Sequence, residues 1–177
     1  HLAMQSALAG QADVCLVPEI PYKIDGVINK LKEIKASGRD HAIIVVSEGI
    51  KTEDGQHLSA AKNLIGEAVY GGVGQYLSAE INNRYHDFQT RVTTLGHVQR
   101  SGTPSCFDRM LAAMFGAKAV ELLAKDQTDM MVVWKNGKVG AYSIDEVVKE
   151  GTTLLDTNSD SVKAAAAIGM YIGEIEK

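Results

Sequence analysis

Apolar residues along this chain recur with two spacings, and the alternation between them lays out the elements. Ile24, Val27, Ile28, Leu31 and Ile34 return every three or four positions, as on one buried helix face, and Gly38 closes that helix. On either side stand short apolar runs, DVCLV at 13–17, closed by Pro18, and AIIVVS at 42–47. Runs this short predict strands, the first buried and the β-branched second covered on both faces. Strand, helix and strand in that order form a βαβ unit, so an α/β fold with a parallel sheet is expected.

The remaining pattern is less uniform. Residues 2–9 read as the end of an amphipathic helix stopped by Gly10, where a left-handed residue needs no Cβ. After the polar loop KTEDGQ (51–56) a long helical stretch is expected, interrupted at Gly71-Gly72. Its second half, about 73–84, carries Val73, Tyr76, Leu77 and Ile81 on one face. FQTRVTTL (88–95) is strand-like, and residues 108–123 predict a strong helix. MMVVW (130–134) and KVGAY (138–142) flank Asn136-Gly137, the dipeptide a type I′ hairpin turn favours because both central residues need positive φ. SIDE (143–146) is a capping box with Ser143 at the N-cap and Glu146 three positions on. A last, alanine-rich helix is expected over about 160–173.

Composition narrows the function classes. A chain of 177 residues makes one ordinary domain or two small subdomains. Its net charge of −4 argues against a nucleic-acid partner, which would call for a basic face. No apolar run reaches the roughly 20 residues that cross a bilayer, so no membrane partner is expected. Cys15 and Cys106 are far apart and form no CxxC or zinc spacing; they read as reduced, buried or half-buried thiols of a cytoplasmic protein. The histidines at 1, 41, 57, 86 and 97 show no ligand spacing, so a metal held by protein side chains alone is not expected. GGVGQYLS (71–78) lacks the third glycine of a dinucleotide fingerprint and follows a helical pattern, so it reads as a helix break or start. The chain opens His-Leu-Ala-Met, as if inside a helix, and a longer parent protein is expected.

Two places carry candidate chemistry. Glu48 ends the 42–47 strand and is followed by Gly49, and ligands of open α/β sheets bind beyond the carboxyl ends of strands. A carboxylate there accepts hydrogen bonds from sugar hydroxyls; a loop-exposed glutamate is the equal alternative. Glu19, after the first strand, has the same position with less support. The second place is TLGHVQRSGTP (94–104), where Gly96 breaks the chain and releases His97 and Arg100 into a turn, with Arg91 just upstream. Guanidinium groups take phosphate oxygens two at a time, and an imidazole adds a further donor. Residue types alone leave a phosphate pocket and a solvated basic turn on equal terms.

The longer stretch TLGHVQRSGTPSCFDR (94–109) resembles the LGHxQRGGxPSxxDR signature of the phosphofructokinases. LAMQSALAGQADVCLVPE (2–19), AIIVVSEG (42–49), the hairpin and the FDRMLAAMFGAKAVELL helix resemble that family in the same order, over most of the chain. The resemblance implies the three-layer, parallel-sheet, Rossmann-like substrate-binding half of an enzyme that phosphorylates C1 of fructose 6-phosphate. Glu48 would then bond the sugar, His97 and Arg100 the sugar phosphate of the same subunit, and Arg91 would reach a neighbouring subunit's site in a homo-oligomer, dimer or tetramer. Residues 1–101 with 156–177 would form the fructose-6-phosphate subdomain, and 102–155 would pack with the nucleotide-binding subdomain. The donor, ATP or pyrophosphate with its Mg²⁺, and the catalytic base would belong to an upstream part, leaving this chain inactive alone. A non-catalytic sugar-phosphate-binding regulatory module is the alternative. Two departures stand out: Ser101-Gly102 where the family has Gly-Gly, and Ser37-Gly38-Arg39-Asp40 where regulated members carry cations on both sides of the glycine. The second implies weak or absent nucleotide regulation. With the EGI after the strand and the YGGVGQYL helix start, it also implies a likeness to the pyrophosphate-using or mixed-donor branch.

Overall fold

The structure, a computed structural model, describes residues 1–62 and 68–175. Its elements run α1 (Leu2–Ala9), β1 (Val14–Leu16), α2 (Ile24–Ala36), β2 (Ile44–Val46), β3 (Ser59–Lys62), β4 (Ala68–Tyr70) and α3 (Val73–Arg84). A 3-10 turn over Gly96–Arg100 follows, then α4 (Cys106–Ala124), β5 (Met130–Lys135), β6 (Lys138–Ser143), α5 (Ile144–Glu150) and α6 (Asp160–Ala167). The chain divides into two compact units, His1–Thr94 with Leu154–Lys177, and Leu95–Thr153. These divisions fall a few residues before the expected ones at 101/102 and 155/156.

The first unit is built around β1. It pairs in parallel with β2, Val14 opposite Ile44 and Leu16 opposite Val46. On its other side Tyr171 bridges to Val14 in parallel: Cys15 N–H donates to Tyr171 O at 2.9 Å and Tyr171 N–H to Asp13 O at 2.9 Å. Side chains of a strand alternate between faces, so β1 feeds two cores. Val14 and Leu16 join the apolar faces of α2 and α3, including Ile24, Val27, Leu77 and Ile81. Cys15 and Val17 join Met4 and Ala7 of α1 and Val162 and Ala165 of α6. Helices therefore cover both sides of a parallel sheet, the α/β arrangement the βαβ pattern predicts. Strand β2 is only half-buried, with Ile43 beside it exposed, and so is not covered on both faces. The helix layers centre on β1 and overlie this edge strand in part.

Four expectations fail here, three of them for tertiary reasons. The helix expected after residue 56 is instead the antiparallel pair β3 and β4, with Ser59 opposite Tyr70 and a bulge before Ala61; the part of that expectation on 63–67 lies outside the described residues. Antiparallel pairing with β4 outweighs the high helix propensity of Ala60-Ala61-Lys62. Residues 88–95 form no strand. They lie against α3 through side chains instead: Thr90 Oγ1 is 2.6 Å from Ser78 Oγ and accepts from Asn82 Nδ2 at 2.9 Å. The last helix stops at Ala167, because Gly169 turns left-handed (φ 82°) and Met170–Ile172 leave to reach β1. Its close is a Schellman cap, Gly169 N–H to Ala166 O and Met170 N–H to Ala165 O, both 3.0 Å. Helix α1 does end before Gly10, but Gly10 has φ −86° and Gln11 takes the left-handed position.

The second unit matches its sequence pattern closely. Ser105 and Asp108 form a capping box that starts α4: Ser105 N–H donates to Asp108 Oδ2 at 2.8 Å and Asp108 N–H to Ser105 Oγ at 3.2 Å. Strands β5 and β6 pair from Met130 with Ser143 to Lys135 with Lys138 around Asn136 (φ 53°) and Gly137 (φ 77°). The Ser143–Glu146 capping box opens α5 as expected. Cys106, on the first turn of α4, is exposed rather than half-buried, whereas Cys15 is fully buried. Burial pushes the Cys15 thiol up to about 11. No helix among the described residues is long and apolar enough to cross a membrane.

Candidate functional site

Geometry around residues 94–109 follows from one backbone choice. Gly96 has φ +51°, a left-handed conformation that glycine adopts without a Cβ clash, and it opens the 3-10 turn Gly96–Arg100. A 3-10 helix has three residues per turn, so side chains at i and i+3 leave on the same side. His97 and Arg100 stand at that spacing, and both are exposed. Ser101 closes the turn: its N–H reaches Val98 O at 3.2 Å and its hydroxyl donates to the same oxygen at 2.9 Å. With φ −103° it sits in a conformation any residue adopts, so the departure from glycine is explained as a cap. The turn then passes to the Ser105–Asp108 box and α4.

Which cations are committed is informative. Arg39 forms a two-pronged bond with Asp13, at 2.7 and 3.1 Å, and Arg84 binds Glu80, Glu53 and Asp25. Arg91, Arg100 and Arg109 make no side-chain hydrogen bond or ion pair among the described residues, and neither does His97. The uncommitted guanidinium groups thus fall within 91–109, where the phosphate clamp is expected.

In the first unit, Ser47 N–H donates to Leu16 O at 2.9 Å at the end of β2, and Glu48-Gly49 form the next turn. Glu48 is exposed and makes no side-chain bond among the described residues. A Cβ on Gly49 would lie 3.2 Å from Pro18 Cγ, so packing against Pro18 accounts for this glycine. Glu19 is turned inward, Oε1 accepting from Leu155 N–H at 3.0 Å while Oε2 is buried with no partner among the described residues. A cleft of about 240 Å³ opens at the carboxyl ends of β1 and β2, between Pro18–Tyr22 and Ile50–Gly55. Tyr22 spans it, donating its hydroxyl to Lys51 O at 2.8 Å, and burial raises this phenol above its ordinary value. Arg91 is exposed on the irregular segment after α3, apart from Glu48 along the chain.

Three groups escaped the pattern reading. Asp13 is buried yet ionised. Burial alone raises its pKa, but the Arg39 bond, the Ile43 N–H and the Arg39 charge together hold it below the ordinary aspartate value. Glu53 joins three segments through bonds across 29 residues to Ile24 and 31 to Arg84. Ser105 and Asp108 fit the capping-box spacing and could have been found, with aspartate in place of the usual glutamate.

Against this geometry, a family model of phosphofructokinase matches residues 1–123. The chain belongs to the phosphofructokinase family. It is 39% identical over 173 residues to the ATP-dependent 6-phosphofructokinase 1 of Synechocystis sp., covering 98% of this chain and 47% of that protein. Identity is 38% over 174 residues to the ATP-dependent 6-phosphofructokinase 1 of Nostoc sp., covering 98% and 48%. The chain thus spans about half the length of the curated relatives it matches. Among solved phosphofructokinases, the crystal structure of the Pichia pastoris protein in the T-state superposes with a TM-score of 0.59 at 23% identity. That match covers 94% of this chain and 16% of the other, and it bears on the fold alone.

Proposed function

We propose that this chain is the sugar-phosphate-binding half of a cytoplasmic 6-phosphofructokinase that transfers a phosphoryl group from ATP to C1 of fructose 6-phosphate in glycolysis. One observation carries the reading: the left-handed Gly96 opens a 3-10 turn that presents His97 and Arg100, uncommitted, on one side. These two residues take the 6-phosphate, Glu48 takes a sugar hydroxyl, and Arg91 serves a neighbouring subunit of a homo-oligomer. ATP is preferred to pyrophosphate because the relatives named above are ATP-dependent. Mg²⁺ enters with the donor. Among the described residues no group of three or more His, Cys, Asp or Glu side chains is arranged to hold a metal ion. Commitment of Arg39 to Asp13 supports a parent enzyme with little response to nucleotide effectors.

The test uses the full-length parent enzyme. Arg100→Ala removes a charge-assisted bond worth about 1.5–3 kcal/mol, so KM for fructose 6-phosphate rises about 10- to 100-fold while KM for ATP is unchanged. An unaltered sugar-phosphate KM would sink the reading. The 177-residue chain alone is expected to show no turnover with ATP or pyrophosphate. Tight fructose 6-phosphate binding by the full-length protein without turnover from either donor would identify a non-catalytic module instead.

A further inference from the structure

We propose that Glu53 is a positioning residue for the acceptor sugar, holding the strap that follows β2 so that the Glu48–Gly49 turn keeps its shape. This rests on the proposal that Glu48 contacts the sugar. The turn is closed by Ile50 N–H donating to Ser47 O at 3.3 Å, and Ile50 is buried in the core shared with α2 and α3. Beyond Ile50 the strap is exposed and polar, and most of its bonds stay within it, such as Gln56 N–H to Thr52 Oγ1 at 3.1 Å.

Besides Lys51 O, which accepts from the Tyr22 hydroxyl at 2.8 Å, Glu53 bonds outside the strap. Its Oε1 accepts the N–H of Ile24 at 2.9 Å, and Lys23, the N-cap residue of α2, makes no side-chain cap bond of its own. A carboxylate from 29 residues away thus caps this helix, where negative charge is favoured by the helix dipole. Its Oε2 accepts from Arg84 of α3 at 3.3 Å, and its N–H donates to Tyr76 Oη of the same helix at 3.3 Å. Arg84 also binds Glu80 at 2.7 Å and Asp25 at 3.4 Å, so one guanidinium ties both helices to the strap. One side chain therefore clamps the strap to α2 and α3, five residues after the candidate sugar contact. Binding constellations hold their geometry only when such supporting bonds lock them. Glu53 acts through Glu48 and does not itself touch substrate.

The full-length parent enzyme, assayed for both substrates with its Tm, tests this. Glu53→Ala is expected to raise KM for fructose 6-phosphate about three- to tenfold, with kcat and KM for ATP within about twofold. Glu53→Gln keeps an acceptor for Ile24 and loses the charge facing Arg84, so it gives a smaller rise, about twofold. Glu48→Ala is measured alongside. If Glu48→Ala leaves the sugar-phosphate KM unchanged, the sugar contact is wrong and this inference falls with it. If Glu48→Ala raises that KM and neither Glu53 variant does, the positioning role alone is overturned. It is also overturned if Glu53→Ala changes kcat and both KM values equally while lowering Tm, or, should that variant not fold, if Glu53→Gln leaves the sugar-phosphate KM unchanged.

Discussion

The two units of this chain hold themselves together by different means. In the first, β1 lies between two helix layers, and Met4, Leu16, Ile24 and Val162 are all withdrawn from solvent. In the second, Leu122 is the one buried hydrophobic residue among the described residues, while Phe107, Met110, Val120, Leu123 and Val148 stay exposed. Its structure rests on local devices: two capping boxes, a type I′ turn and a 19-residue helix. Packing stabilises the first unit, whereas short-range hydrogen bonds set the shape of the second.

A core truncation separates them most strongly. Leu16→Ala should destabilise the chain by about 2–5 kcal/mol in urea unfolding, because it removes transfer energy and leaves a cavity. Val120→Ala, on an exposed face of α4, should change stability by no more than about 0.5 kcal/mol. Equal effects would break the contrast. Next in size is the pair that the buried Asp13 of the first unit makes with the exposed Arg39. Asp13→Asn should cost about 1–3 kcal/mol by weakening the bond to Arg39. The folded-state pKa of Asp13 is lowered, so its contribution is complete above the ordinary aspartate pKa and is lost as pH falls through the folded value. Unfolding midpoints of the parent and Asp13→Asn chains should therefore begin to converge as pH falls below about 4 and meet only below the lowered folded value, where the native carboxylate is protonated; a gap that widened in acid would refute the pairing. Smallest is a cap in the second unit. Ser143→Ala should cost about 1 kcal/mol and speed exchange of the Glu146 amide, with no change at Val14.

The same contrast explains what could be read from the amino-acid pattern. The hairpin at Asn136-Gly137 and the box at Ser143–Glu146 are specified by neighbours, and both are found as expected. The βαβ unit was also legible, because five apolar positions of α2 keep strict helical spacing and all five are buried. Residues 59–62, 88–95 and 168–173 were misread because distant partners decide their state: β4, Ser78 with Asn82, and β1 respectively. At the candidate site, His97 and Arg100 were visible as residue types, and the 3-10 spacing adds that they share a side. Glu53 was not legible at all, since nothing local marks a carboxylate that caps a helix 29 residues earlier.

The bridge between Val14 and Tyr171 has a consequence in time as well as in space. During synthesis the chain leaves the first unit at residue 94 and returns at 154, so β1 waits for a partner that lies beyond the whole second unit. Helix α6, which covers one of its faces, arrives equally late. The locally specified unit can form while it emerges, but the unit with the larger core cannot close until the second unit has been made. Of the two units, the one that buries more is completed second.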